Sequence, residues 1–145
     1  MEISKKQYDS MVKLASPPSK VVRNIILAFT IGGLICTVAQ IISMAAGYYI
    51  KDTTDASSVT SMSMIFAGAL LTGLNVYDDI AKYGGAGTLV PITGFANSIV
   101  SPAMEFRTEG YVLGVGANMF KIAGPVLVFG ISASVLYGII YFFVR

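Results

Sequence analysis

The ionisable side chains that could handle a charged solute lie close together in the second half of the chain. Glu105, Arg107 and Glu109 fall within five residues. Lys121 follows them, with no acidic residue within eleven positions on either side. Ionisable residues between apolar segments of a membrane protein mark ion or substrate routes, so this cluster predicts a solute path. The alternative is a surface loop of compensating charges, with Lys121 reaching toward lipid headgroups.

Three asparagines, each with a glycine a few residues upstream, are the second group of candidates: Asn75, Asn97 and Asn118. An amide in hydrocarbon needs a hydrogen-bond partner, so it either binds a neighbouring helix or lines a wet path. Helix contact is the preferred interpretation for Asn75. Pore lining is preferred for Asn118 and for Asn97 with its neighbour Ser98, because these residues lie in interrupted segments.

The residue types that are missing exclude several kinds of chemistry. The chain has no His and one Cys, which rules out imidazole catalysis, the usual histidine-containing metal sites and intrachain disulfides. The acidic residues show no arrangement of nucleophile, base and orienting group. A net charge of +2 provides no basic stripe for nucleic acid. We therefore expect no enzyme activity, no metal, no cofactor and no nucleic-acid partner.

The composition predicts an all-α integral membrane protein. Hydrophobic residues make up 54% of the chain and charged residues only 12%, against about 25% charged residues in soluble domains. Three uncharged runs each reach or exceed the roughly 20 residues that cross a bilayer as a helix. They cover residues 24–50, 56–77 and 122–144, and each is a predicted transmembrane helix.

Residues 83–121, between the second and third runs, are predicted to form a broken segment. Six glycines and prolines interrupt its first part, from Gly84 to Pro102, so a continuous helix is not expected. Irregular backbone at membrane depth survives only where protein or water covers it. The segment is either a re-entrant hairpin, which is the preferred arrangement, or a discontinuous crossing. The two arrangements put the C-terminus on opposite sides of the membrane.

Residues 1–23 form a basic, amphipathic tail ahead of the membrane domain, residues 24–145. Half of the chain's ten basic residues lie in this tail: Lys5, Lys6, Lys13, Lys20 and Arg23. Because positive residues favour the cytoplasmic side, we expect a cytoplasmic N-terminus. Apolar residues at helical spacing within the tail permit two interpretations, a helix lying on the membrane surface or a solvated tail.

The last uncharged run carries small residues at every fourth position. Gly130, Ser134 and Gly138 share one face of the predicted helix. Small residues let helix backbones approach closely inside membranes, so this face is predicted to pack against another helix. The pattern predicts packing and no chemistry.

The run from Gly87 to Gly130 resembles the signature region of a known family. It reads GTLVPITGFANSIVSPAMEFRTEGYVLGVGANMFKIAGPVLVFG, which is similar to the SpoVAC/SpoVAEB family of stage V sporulation membrane proteins. The length of the chain, its basic tail and its first two spans fit the same family. The resemblance therefore covers essentially the whole chain.

This resemblance implies a membrane subunit of the SpoVA complex in the inner membrane of the spore or forespore. That complex moves dipicolinic acid, chelated with calcium, into the forespore during sporulation and out during germination. The implied partners are the lipid bilayer, the homologous AE-b membrane subunit and the soluble AD subunit that binds dipicolinate. The resemblance also implies a channel that responds to membrane tension, but it supplies no agreed functional residues.

Two functions are expected on these grounds. The first is a channel or permease subunit in which Lys121 meets a carboxylate of dipicolinate, while Glu105 and Glu109 hold Arg107 in place. An anion path requires cationic side chains and half-helix N-termini. The second is a structural subunit that anchors the complex without its own pore. The predicted path residues are Asn97, Ser98, Glu105, Arg107, Glu109, Asn118 and Lys121.

Overall fold

The computed structural model describes residues 5–15 and 20–144, and within these ranges the chain is helical with no strand. Residues 1–4 and 16–19 of the predicted tail, and residue 145, lie outside the described residues. A 3₁₀ turn (Arg107–Glu109) and a π-helical segment (Tyr111–Gly116) join the last two α-helices. The α-helices are α1 (Lys5–Ala15), α2 (Val21–Tyr49), α3 (Thr53–Gly73), α4 (Val76–Gly84), α5 (Ala86–Leu89), α6 (Ile92–Glu105) and α7 (Ala117–Val144).

Three helical stretches of the described chain are long and apolar enough to cross a membrane. They are α2, α3 and the continuous stretch Tyr111–Val144. Between α3 and that last stretch lie the shorter helices α4 to α6, separated at Gly85 and at Val90 and Pro91. The predicted fold class is therefore confirmed: an all-α membrane protein with three spanning helices and a segment broken at glycine and proline.

A short connection joins α2 to α3, and Asp52 fixes the start of α3. Its Oδ1 atom accepts hydrogen bonds from the backbone N–H groups of Thr54 at 2.8 Å and Asp55 at 3.3 Å. These bonds satisfy donors that the first helical turn leaves open, and they hold the pKa of the Asp52 carboxyl below its usual value. As a result α3 begins at Thr53, ahead of the predicted boundary at residue 56.

The second span also ends earlier than the charge pattern indicates. α3 stops at Gly73 and not at residue 77, because Leu74 and Asn75 turn the chain. Asn75 has a φ of 58°, a left-handed conformation that asparagine adopts more readily than most residues. Tyr77 consequently belongs to α4, which leaves the end of α3 in a new direction.

Glycines let helices α4 to α6, which form the interrupted segment, pack directly on the backbones of the spanning helices. Gly87 of α5 lies so close to α2 that a Cβ atom there would overlap the carbonyl oxygen of Ala28. A Cβ atom on Gly68 of α3 would come within 2.9 Å of the Thr93 backbone of α6. Small residues allow such backbone contact between membrane helices. The interruptions in the sequence are thus also packing surfaces.

Both ends of the interrupted segment lie at the end of the bundle where α3 ends. Thr72, in the last turn of α3, lines the same cleft as Asp78 of α4 and Glu105 at the end of α6. The first turn of α6 lies one helical turn deeper in the bundle than Thr72, because Thr93 contacts Gly68 of α3. The chain therefore enters the bundle through α4 and α5 and returns to the same end through α6. We call helices α4 to α6 the re-entrant segment.

The last helix begins before the predicted boundary at residue 122. α7 starts at Ala117 and continues through Pro125, and the π-helical segment runs directly into it. Lys121 therefore lies inside a helix and not at the end of the broken segment. The buried residues of α7 are Asn118 and Ala123, so its first turns pack against α6 while the rest of the helix is exposed.

Candidate functional site

A polar contact between α3 and α6 lies at the centre of the re-entrant segment. The hydroxyl oxygen of Thr72 is 2.7 Å from the carbonyl oxygen of Gly68 and 2.9 Å from Oδ1 of Asn97. A hydroxyl has a single hydrogen to donate, and Thr72 is buried. Rotating the side-chain amide of Asn97 by 180° exchanges its Oδ1 and Nδ2 atoms and makes both contacts hydrogen bonds. Nδ2 of Asn97 then donates to the Thr72 hydroxyl, and that hydroxyl donates to the Gly68 carbonyl.

A second polar contact joins α4 to the start of α6. Tyr77, only 3% exposed, donates its hydroxyl hydrogen to the carbonyl oxygen of Thr88 at 2.7 Å. The hydroxyl of Thr93 lies 2.9 Å from the Tyr77 oxygen and therefore donates to it. Sequence reasoning missed Tyr77, although two threonines in a broken apolar stretch signal a need for hydrogen-bond partners.

Thr72, from the first of these contacts, also lines a polar cleft at the end of the bundle. The cleft has a volume of about 260 Å³ and opens beside two exposed carboxylates, Asp78 and Glu105. On the neighbouring turn of α4, Lys82 forms an ion pair with Asp79 at 2.7 Å, and this hydrogen bond raises the pKa of Lys82. The residues that line the cleft are Thr72, Asn75, Asp78, Ser101, Met104 and Glu105.

Two predicted path cations lie at the corner between α6 and α7. The Nζ atom of Lys121 is 5.7 Å from the centre of the Phe106 ring, a distance at which an ammonium group and an aromatic face attract. Phe106 directly precedes Arg107, and the Arg107 and Lys121 side chains are both exposed. The fold thus brings to one corner two cations that are fourteen residues apart in the sequence.

The predicted pairing of Arg107 with Glu105 and Glu109 is not present. Among the described residues, the ion pair between Lys82 and Asp79 is the single one formed. Residues two positions apart on helical backbone do not face each other, so the spacing of the cluster separates its charges. Glu109 and Arg107 lie instead in an exposed 3₁₀ turn.

Asn118 and Ser98 are placed against protein. Asn118 is 6% exposed and its Nδ2 donates to the carbonyl oxygen of Gly114 at 2.7 Å. Its Oδ1 atom is buried and has no hydrogen-bond partner in the described part of the chain. Ser98 donates to the carbonyl oxygen of Phe95 in its own helix at 2.7 Å. Both side chains therefore form their hydrogen bonds locally, within four residues along the chain.

The small-residue face of α7 has no neighbour within the described chain. No atom of another element lies within 4 Å of a Cβ built on Gly130 or Gly138. Ser134 donates to the carbonyl oxygen of Gly130 at 2.8 Å, so its polar group is satisfied inside the helix. The face is therefore apolar, small and open to a second helix.

The architecture defines an α-helical membrane protein with a re-entrant segment held by internal polar contacts. The chain belongs to the SpoVAC/SpoVAEB sporulation membrane protein family, which matches residues 24–140. It is 44% identical over 139 residues to stage V sporulation protein AC of Bacillus subtilis (strain 168), covering 95% of this chain and 93% of that protein. No solved structure matches it. The chain is thus a sporulation membrane protein, from a family that is not a known enzyme family.

Proposed function

We propose that this chain is a channel or permease subunit of the SpoVA complex. In this role it moves dipicolinic acid, with calcium, across the inner membrane of the spore, inward during sporulation and outward during germination. The observation that carries the proposal is the re-entrant segment, whose hydroxyl and amide groups are paired across α3, α4 and α6. Family membership supports the assignment to the complex.

A broken helical segment is what a solute path at membrane depth requires. Interrupted backbone is tolerated there only against protein or a water-filled cavity, and transporters build their sites from such half-helices. Here α6 begins at Ile92 beside the backbone of Gly68, inside the bundle. The N-terminal end of a helix carries a partial positive charge, which favours an anion near that point.

The cations at the α6 to α7 corner suit a solute that bears two carboxylates. Lys121 precedes the uncharged run 122–144, which spans about 34 Å as a helix against a hydrocarbon layer of roughly 30 Å. Lys121 therefore lies at the boundary of that layer, where an arriving anion can reach it. Within the described residues no carboxylate pairs with it, so its charge is available to the solute.

One copy of the chain does not enclose a pore, since its three spanning helices leave most of α2 and α7 exposed. We propose that the path forms between this chain and the homologous AE-b membrane subunit, and that the soluble AD subunit delivers dipicolinate to it. The basic tail sets the N-terminus on the cytoplasmic side. Membrane tension opens the path by separating subunits that meet through exposed helices.

The second candidate function is a structural anchor without a pore of its own. The uncovered small-residue face of Gly130, Ser134 and Gly138 favours it, because such a face serves assembly alone. Liposomes loaded with dipicolinate and carrying this chain together with the AE-b subunit separate the two functions, with terbium luminescence outside the liposomes as the measure of release. We expect release above that of liposomes that carry the AE-b subunit alone. Liposomes that stay sealed would refute the channel for this chain and leave the anchor.

A further inference from the structure

The N-terminal helix α1 has an apolar face that the rest of the described chain does not cover. Tyr8, Met11 and Val12 lie on this face at helical spacing and are 61%, 57% and 43% exposed. Ala15 continues the same face and is also exposed. None of the other described helices packs extensively against α1. An uncovered face of this kind indicates a surface outside the chain.

The length of α1 also requires such a surface. The helix has 11 residues, and isolated helices below about 12 to 15 residues are only marginally stable in water. Most helical stability in proteins comes from packing of an apolar face. Since the described chain supplies no such packing, the helix depends on a partner that covers Tyr8, Met11 and Val12.

The position of α1 in the chain selects the membrane as that partner. Residues 16–20 connect Ala15 to Val21, the first residue of the spanning helix α2. A connection of this length reaches at most about 20 Å when fully extended. The helix α1 is therefore held within reach of the membrane surface at the end of α2, whatever else binds to the chain.

The net positive charge of α1 favours binding to an anionic membrane surface. The sequence of α1 contains three lysines and one aspartate, and Lys20 and Arg23 follow it. A lysine close to an anionic lipid layer strengthens binding by about fivefold. A helix with an apolar face and basic residues on its other positions lies in the plane of the interface, with the apolar face below the headgroups.

We propose that α1 is an interfacial helix that binds anionic phospholipid, with Tyr8, Met11 and Val12 buried among the acyl chains and the lysines at the phosphate groups. This contact ties the start of α2 to the membrane surface. The inference is independent of the solute path, because it concerns only α1 and the lipid.

A single tryptophan introduced into α1 tests the proposal, because the chain contains no Trp. Tyr8→Trp places the reporter on the apolar face, and Ser10→Trp is the matched control at an exposed position two residues on. The full chain is reconstituted in vesicles of phosphatidylcholine and phosphatidylglycerol, 1:1, with brominated acyl chains. We expect a blue-shifted emission for Tyr8→Trp and at least about twofold stronger quenching by bromine than for Ser10→Trp. Met11→Trp serves as a second reporter on the apolar face.

The lipid composition and the lysines provide the test of charge. Vesicles of phosphatidylcholine alone, or the combined changes Lys5→Gln, Lys6→Gln and Lys13→Gln, should reduce the quenching of Tyr8→Trp. Equal quenching of both reporters would overturn the proposal, and so would no dependence on lipid charge. A blue shift that bromine does not quench would also overturn it, because it would show that α1 is covered by protein.

Discussion

The side chains of Thr72 in α3 and Asn97 in α6 form a hydrogen bond of 2.9 Å, and this bond fixes the re-entrant segment to a spanning helix. Thr72 is buried and Asn97 is half-buried. In the sequence the two residues are 25 positions apart, and a helix turn, two short helices and two breaks separate them.

The first prediction is that Thr72→Val and Asn97→Leu are energetically coupled. Hydrogen bonds between membrane helices contribute about 0.6 kcal/mol on average, and we expect a coupling of about this size from a double-mutant cycle of unfolding free energies in detergent. Thr60→Val is the matched control, since Thr60 bonds only within α3, to the carbonyl oxygen of Ala56. Equal coupling of Asn97→Leu with Thr60→Val would show that the contact does not hold the helices together.

A second prediction concerns the backbone contact between α5 and α2. Gly87→Ala should lower the free energy of unfolding by about 1 to 3 kcal/mol, the usual cost of overpacking, because the new methyl group would overlap the Ala28 carbonyl. Gly33→Ala, where no atom lies within 4 Å, should be neutral or slightly stabilising. The free energies of unfolding of both variants are measured in the same detergent. A Gly87→Ala protein as stable as the parent would contradict the close contact between α5 and α2.

The hairpin between α2 and α3 should be sensitive to acid through Asp52. Its pKa is lowered in the folded chain below the ordinary value of 3.8. The stabilisation is therefore fully present above pH 3.8 and is lost as the pH falls through the folded value. Asp52→Asn caps the helix without a titrating group, so its melting temperature should fall less on acidification. Asp55→Asn removes the same charge but not the cap. If it changes the acid dependence as much as Asp52→Asn does, the cap is not responsible.

The small-residue face of α7 should serve assembly and not the folding of the chain itself. We expect Gly138→Ile to reduce co-purification with a partner membrane subunit, because a large side chain keeps a second helix away. Ser134→Ala should have little effect, since small size is preserved. Gly33→Ile is the control, being an equally open glycine on another spanning helix. Assembly that survives Gly138→Ile would remove the argument for this face.

The sequence predicts the spanning helices and the interruption well, because both depend on local properties. Runs without charge identify the spans, and glycine and proline identify the break. The end of α3 at Gly73 was not predictable from charge, since the next charged residue is Asp78. The pairing of Asn97 with Thr72 depends on which helices become neighbours in space. Periodicity and composition do not contain that information.

The candidate site was predicted only in part, for a related reason. The sequence identified Arg107 and Lys121 as the important cations, and the fold places both at the corner beside Phe106. The sequence suggested that Glu105 and Glu109 pair with Arg107. These pairs do not form, because residues two positions apart on a helical backbone point in different directions. Tyr77 was assigned to the second span because the uncharged run ends at this residue, and its contacts with Thr88 and Thr93 exist only in the folded chain.

Release of dipicolinate from liposomes that carry this chain and the AE-b subunit is the most direct test of the proposed passage of dipicolinate past Lys121. Lys121→Gln removes the charge while roughly keeping the size, so release should fall about tenfold, the effect of losing one charge-assisted contact. Lys121→Arg should restore part of the release rate. Lys51→Gln, in the connection between α2 and α3, should leave the rate unchanged. If Lys121→Gln releases dipicolinate as fast as the parent protein, Lys121 is a headgroup anchor and the proposed anion path is wrong.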